Sequence, residues 1–240
     1  MKYIVLLFCL GYATLANAQL RPSSKIVEKN RVKSEAYDMV WYMLRDTAKF
    51  EIGKVSSRLI DSKDKITLIT TVAMKGTTGI WVDSSTCQKA TFSPIRHSSY
   101  NAQRDMILNF GPIVTGVYTD KRQGKKTVIS DTTQTTYFDS NFYPTLIRWL
   151  SLKEGFTQKI AIYDYNPSAN IGVITASITG VSSGQYTTQK NGSKEVWVVT
   201  VTDEISNGTS TYFIDKTDRK LWKQTMEAGK GRTMLMIAVE

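Results

Sequence analysis

Lys194-Glu-Val-Trp-Val-Val-Thr-Val-Thr-Asp203, followed by Asn207-Gly208 and Ser210-Thr-Tyr-Phe-Ile-Asp215, is the stretch whose reading decides the fold. Both runs are rich in β-branched and aromatic side chains, which suit a pleated surface. Trp197, Val199 and Val201 have one parity, so on a strand they share one face. Asn and Gly both tolerate positive φ, which a tight hairpin turn demands. The stretch predicts an antiparallel hairpin with a buried side.

The pattern extends in both directions. Residues 220–227 and 233–239 continue it on one side. On the other, Asn191-Gly192 repeats the hairpin dipeptide, and residues 156–165, 171–181 and 185–190 read as strands. Tyr37, Met39, Trp41 and Met43 share a parity. Residues 49–60 and 65–74 flank the polar tip Asp61-Ser-Lys-Asp64. Shorter β-like runs fall at 79–83, 89–100, 105–110, 113–118 and 126–130, separated by Gly, Pro, Asn and Asp breakers. Asp139-Ser-Asn-Phe-Tyr-Pro-Thr-Leu-Ile-Arg-Trp-Leu150 interrupts the alternation. Its capping-type start, Pro144 and its apolar positions 142, 146, 149 and 150 predict one short helix near 140–150.

These elements predict a mainly β fold: a highly curved antiparallel sheet, either a half-barrel or an open barrel. Curvature limits exposed edges and creates a concave face that a helix, loops or a ligand must fill. Residues 35–240 read as a single domain. Residues 19–34, polar and charged with Pro22, read as a loose lead-in.

The first eighteen residues carry an address. Lys2 supplies a charge, Tyr3-Ile-Val-Leu-Leu-Phe-Cys-Leu10 an apolar stretch, and Ala16-Asn-Ala18 a small-residue cleavage site before Gln19. The apolar stretch is about half the ~20 residues a spanning helix needs. Residues 1–18 are thus predicted to be a cleavable secretory signal, and the protein to work outside the cytoplasm. Phe8 is too bulky for the residue before a lipidated cysteine, which argues against Cys9 as an acylation site.

The full chain has 31 Lys and Arg against 21 Asp and Glu. In an exported protein that excess points away from nucleic acid and toward an anionic membrane surface or an acidic partner. Lys121, Arg122, Lys125 and Lys126, then Lys216, Arg219 and Lys220, fall near predicted turns. Oligomeric state is not legible here.

Catalytic groups are scarce. Removal of the signal leaves Cys87 as the one cysteine, so no internal disulfide can form. His97 is the one histidine. Paired metal ligands, nucleophile elbows and phosphate-binding loops are all missing, so neither metal nor cofactor is expected. A Cys87–His97 dyad lacks supporting context, and His97 reads as a polar strand residue. Asp203 and Glu204 would point to opposite faces of a strand. No catalytic residue is assigned. A hydrolase built from distant carboxylates ranks last.

The aromatics offer a different chemistry. Trp41, Trp81, Trp149, Trp197 and Trp222, with Phe138, Phe142 and Tyr143, can build a core or line an apolar pocket. Phe142, Trp149 and Trp197 are the candidate ligand-lining residues.

Certain stretches are also familiar together: Trp81-Val-Asp83 with Pro94-Ile-Arg-His97; Tyr143-Pro-Thr-Leu-Ile-Arg148 through Leu152-Lys-Glu-Gly155; and Trp197 through Thr211-Tyr-Phe-Ile-Asp215 and Arg219-Lys-Leu-Trp-Lys223. Over roughly residues 35–240 the chain resembles an uncharacterised family of exported bacterial proteins. That family is related to the lipoprotein-localisation carriers, whose curved half-barrel holds acyl chains. The resemblance implies a Gram-negative periplasm and brings no catalytic residues with it. The expected function is non-enzymatic binding of a lipid or other apolar ligand. An envelope interaction protein with an acidic partner is the second expectation.

Overall fold

The computed structural model describes residues 19–23, 25, 27–46, 48–227 and 232–240; the predicted signal at 1–18 lies outside them. The alternating runs become strands: β1 (Glu35–Arg45), β2 (Ala48–Asp61), β3 (Lys65–Met74), β4 (Ile80–Gln88), β5 (Pro94–Tyr100), β6 (Arg104–Asn109), β7 (Ile113–Asp120) and β8 (Lys125–Thr132). After β9 (Phe138–Asp139) and the helix α1 (Tyr143–Ile147) come β10 (Gln158–Tyr165), β11 (Ile171–Thr187), β12 (Ser193–Asp203), β13 (Thr209–Asp215), β14 (Leu221–Glu227) and β15 (Thr233–Ala238). The sheet order is β8-β7-β6-β5-β4-β3-β2-β1-β15-β14-β13-β12-β11-β10-β9, with β8 and β9 unpaired to each other. The fold is mainly β, as predicted, and every ladder except β9–β10 is antiparallel.

Geometry forces this sheet to roll. Fifteen strands laid flat at about 4.8 Å spacing would reach about 67 Å from end to end. The chain leaves one end at Thr132 and enters the other at Phe138. Six extended residue steps cover at most about 22 Å. The two outer edges must therefore lie close together.

They overlap rather than merely meet. Ile160 and Ile162 of β10 belong to the main core, with Leu59, Leu68, Phe142 and Trp149. Ala161, Tyr163 and Tyr165, on the opposite face, pack with Met106, Leu108, Val114 and Ile129 of β6–β8. One inward-facing row runs across Leu59, Leu68, Ser85, His97 and Leu108. The inner surface of β6–β8 thus lies over the back of β10, and the sheet forms a scroll. This explains why Ile160-Ala-Ile-Tyr163 is buried without alternation. Gly116 permits a tight approach within the flap: a Cβ there would collide with the Ile107 carbonyl.

The outer edge of β10 is covered. β9 pairs with it at Ile162 and Tyr163. Leu20 pairs in parallel with Ile160, through Leu20 N–H to the Lys159 carbonyl at 2.7 Å and Ala161 N–H to the Leu20 carbonyl at 3.0 Å. The predicted lead-in is therefore not loose at these points. Leu20 and Val27 are buried, Val27 bridges Leu150, and Lys29–Arg31 forms a 3-10 turn. Apolar side chains at positions 20 and 27 supply the missing reason, since each finds a slot in the core.

Two further details depart from expectation. The predicted helix contracts to Tyr143–Ile147, with Phe142 at its N-cap, while Asp139 belongs to β9 and engages His97. Residues 171–181 and 185–190, read as two strands, form the single strand β11, whose register shifts between Ile178 and Gly180. Both Asn-Gly dipeptides sit in hairpin turns, with Gly192 at φ 71° and Asn207 at φ 51°.

Candidate functional site

The interior of the scroll is filled by the segment around α1. Phe142 and Trp149, predicted to line a pocket, are each 1% exposed. The Trp149 ring lies 5.9 Å from that of Phe142 and 6.1 Å from that of Phe92. Burial of aromatic surface stabilises the core here. The third predicted residue, Trp197, is half-buried against the same core, with Lys216 Nζ 4.5 Å above its ring. The structure brings Phe142 and Trp149 together and leaves Trp197 apart.

Buried polar contacts pin the plug in place. Arg148 donates to both oxygens of Glu35 at 2.6 and 3.1 Å and to the Arg219 carbonyl at 2.7 Å. Tyr143 donates to Asp203 at 2.6 Å. Arg219 in turn approaches Glu28 at 3.4 Å, tying the N-terminal strap to the same region. A bidentate guanidinium–carboxylate pair fixes orientation as well as distance.

The densest polar constellation lies on the seam between β5 and β9. Alternation on β4 and β5 places Asp83, Ser85, Cys87, His97 and Ser99 on the inward face, all buried. Across the seam, Asp139 Oδ1 lies 3.1 Å from His97 Nδ1. Asp83 Oδ1 lies 3.9 Å from Nε2, an ion-pair distance rather than a hydrogen bond. Asn141 donates its backbone N–H to Asp139 at 3.1 Å and its side-chain amide to Ser85 at 2.9 Å. Trp81 and Arg104 donate to Ser99.

Burial alone would discharge His97, but the charge and hydrogen bond of Asp139, aided by Asp83, outweigh it and push its pKa up to about 10. The site holds an imidazolium between two carboxylates. Asp83 is buried too, yet its contacts with His97, Ser99 and Trp81 hold its carboxyl below the usual value. Asp164, bonded by Ser140 at 2.7 Å, goes the other way: burial and the neighbouring Asp139 charge raise it.

Such a centre holds two sheet regions together and is poorly suited to proton transfer at neutral pH. A general base must be free of its proton at the working pH in order to accept one, and His97 is not. Burial and the Asp139 charge push the Cys87 thiol up to about 12, so it does not present a nucleophilic thiolate. Cys87 aligns with Pro94 and His97 with Ser85, so the two residues of the considered dyad are not directly opposed. Asp203 is engaged by Tyr143 and by the turn amides of Ile205 and Ser206, while Glu204 accepts the Thr175 N–H. Among the described residues no group of three or more His, Cys, Asp and Glu side chains could hold a metal.

Two of the basic residues that fall near predicted turns are engaged. Lys121 pairs with Asp105 at 2.7 Å, and Lys220 lies 3.9 Å above the Trp222 ring.

At one end of the seam is an apolar groove of about 380 Å³. Pro22, Pro94, Phe110, Pro112, Tyr137 and residues 133–136 form most of its wall. The rings of Phe110 and Tyr137 meet edge to face at 5.9 Å, and the Tyr137 hydroxyl donates to the Gly111 carbonyl at 2.9 Å. Sequence reasoning missed this groove because its walls come from the strap, the β4–β5 and β6–β7 turns and the edge-crossing loop. It also missed the His97–Asp139 contact. The one available signal was the parity shared by Asp83, Ser85 and His97, and it needs the β4–β5 register to be read.

No match is found among curated proteins. A family profile matches residues 36–240, nearly all of the scroll, and the chain therefore belongs to the family described as "Protein of unknown function (DUF3108)".

Proposed function

We propose that this is a non-enzymatic periplasmic binding protein for a lipid or other apolar ligand, and that the ligand enters the groove at the end of the seam. The observation that carries this reading is the mostly apolar groove of about 380 Å³ beside a filled interior. Its volume lies within the roughly 300–1,000 Å³ of small-molecule sites. Each methylene buried there would contribute about 0.8 kcal/mol. The secretory-type N-terminus and the likeness to lipoprotein-localisation carriers favour an envelope ligand. The commitment of His97, Cys87 and Asp203 to internal contacts favours binding over catalysis.

Titration with a fluorescent fatty acid tests the proposal. The wild-type protein should bind it, and Thr135→Trp, which fills the groove, should weaken binding at least tenfold without lowering the melting temperature. If Thr135→Trp binds normally while Phe142→Leu does not, the ligand occupies the interior. A wild-type protein that binds no acyl probe at all overturns the reading.

A further inference from the structure

The scroll protects one of its two outer edges and leaves the other open. Leu20 and β9 cover β10, whereas among the described residues β8 pairs only with β7. An open edge exposes a row of backbone donors and acceptors. The Thr133 N–H donates to the Pro112 carbonyl at 2.9 Å, and the β7–β8 ladder runs without a register shift. Hydrogen-bonding direction alternates along an antiparallel strand. Lys126, Val128, Ser130 and Thr132 therefore turn their N–H and C=O groups toward the open side.

The side chains of these residues lie on the outer face, since Ile129, of the other parity, is buried. Ile107 stands opposite Val117, and Val117 opposite Val128. This apolar row ends abruptly at Val128, which is 77% exposed. Charge is also ordered along the strand, with Lys125 and Lys126 at its start and Asp131 near its end. The strand contains no proline, and its lysines guard one end alone.

We propose that the open edge of β8 is a self-association surface, where two copies of the chain pair β8 to β8, antiparallel about a two-fold axis at Val128. This register sets Lys125 against Asp131 of the second copy and Lys126 against Ser130. Opposite charges meet, and no two lysines face each other. The apolar row continues through both valines into the second copy. The residues that pair are those whose backbone groups already face outward, and the contact is isologous, as a two-fold dimer requires.

Sedimentation velocity over a concentration series should show a reversible dimer. Val128→Lys should weaken it at least tenfold, and its exposed position makes unfolding no explanation. Directly opposed residues in a hydrogen-bonded antiparallel pair lie about 5.5 Å apart, within disulfide range. Val128→Cys should therefore form a covalent dimer on oxidation, while Ser130→Cys, displaced from the axis, should not. Cys87 is buried and does not compete. A monomer at every concentration overturns the proposal, as does a dimer that fails either variant test.

Discussion

His97 shows how a single side chain acquires its role from register. From sequence it is a polar residue on a strand; in the fold it is an imidazolium held between Asp83 and Asp139 across the seam. Its pKa is raised from 6.5 to about 10. Below pH 6.5 the folded and unfolded chains are both protonated, and the pairing stabilises in full. Between pH 6.5 and about 10 the unfolded chain loses the proton first, so stability falls as pH rises, by up to about 1.4 kcal/mol per pH unit. Urea unfolding midpoints measured from pH 6 to 10 should show this decline in the wild type and lose most of it in His97→Gln. An equal slope in both proteins would assign the effect elsewhere. Arg148 teaches the same lesson. It stands in the stretch that carried the family likeness, and its buried fork onto Glu35 gives that likeness a structural meaning.

Most strands were readable where one face is wet, although the runs read at 79–83 and 89–100 misplaced the turn between β4 and β5, which falls at 89–93. The prediction for 65–74 coincides with β3, and the hairpin that opened the reading is β12–β13. Alternation is a signal of half-burial, so it fails where both faces are covered or where a contact comes from far away. β10 was read as a strand, but the burial of its second face was not legible, because that cover comes from β6–β8. The strap at 19–34 reads as a loose lead-in because its anchors, Leu20, Val27 and Val32, are scattered apolar residues among charges. The binding groove was illegible for a related reason: no single element contains it. The strap yields a direct test. Leu20→Ala removes a buried side chain that also stands beside the β10 edge, and should cost about 2–3 kcal/mol. The shift in denaturation midpoint measures it; a cost below about 0.5 kcal/mol, the range of surface substitutions, would mean the strap is not held in solution.

At the scale of the whole molecule, the sheet is two ribbons joined along one line. Every ladder except one joins strands that neighbour each other in sequence. That one is β1–β15, where Met39 meets Ala238 and Trp41 meets Met236. Local hairpins form early because little chain entropy is lost, whereas joining distant segments is slow. With the hairpins formed early and the β1–β15 junction made in the rate-limiting step, Met236→Ala and Leu68→Ala should both slow refolding in stopped-flow measurements. A Met236→Ala variant that instead chiefly accelerates unfolding would place the junction after the transition state. This line also sets a timetable for the nascent chain. A polypeptide emerges from its N-terminus, so β1 must wait, with one side bare, until nearly all the other strands have been made. The ribbon β1–β8 can be complete in the emerging chain while the far side of β1 still lacks its partner β15.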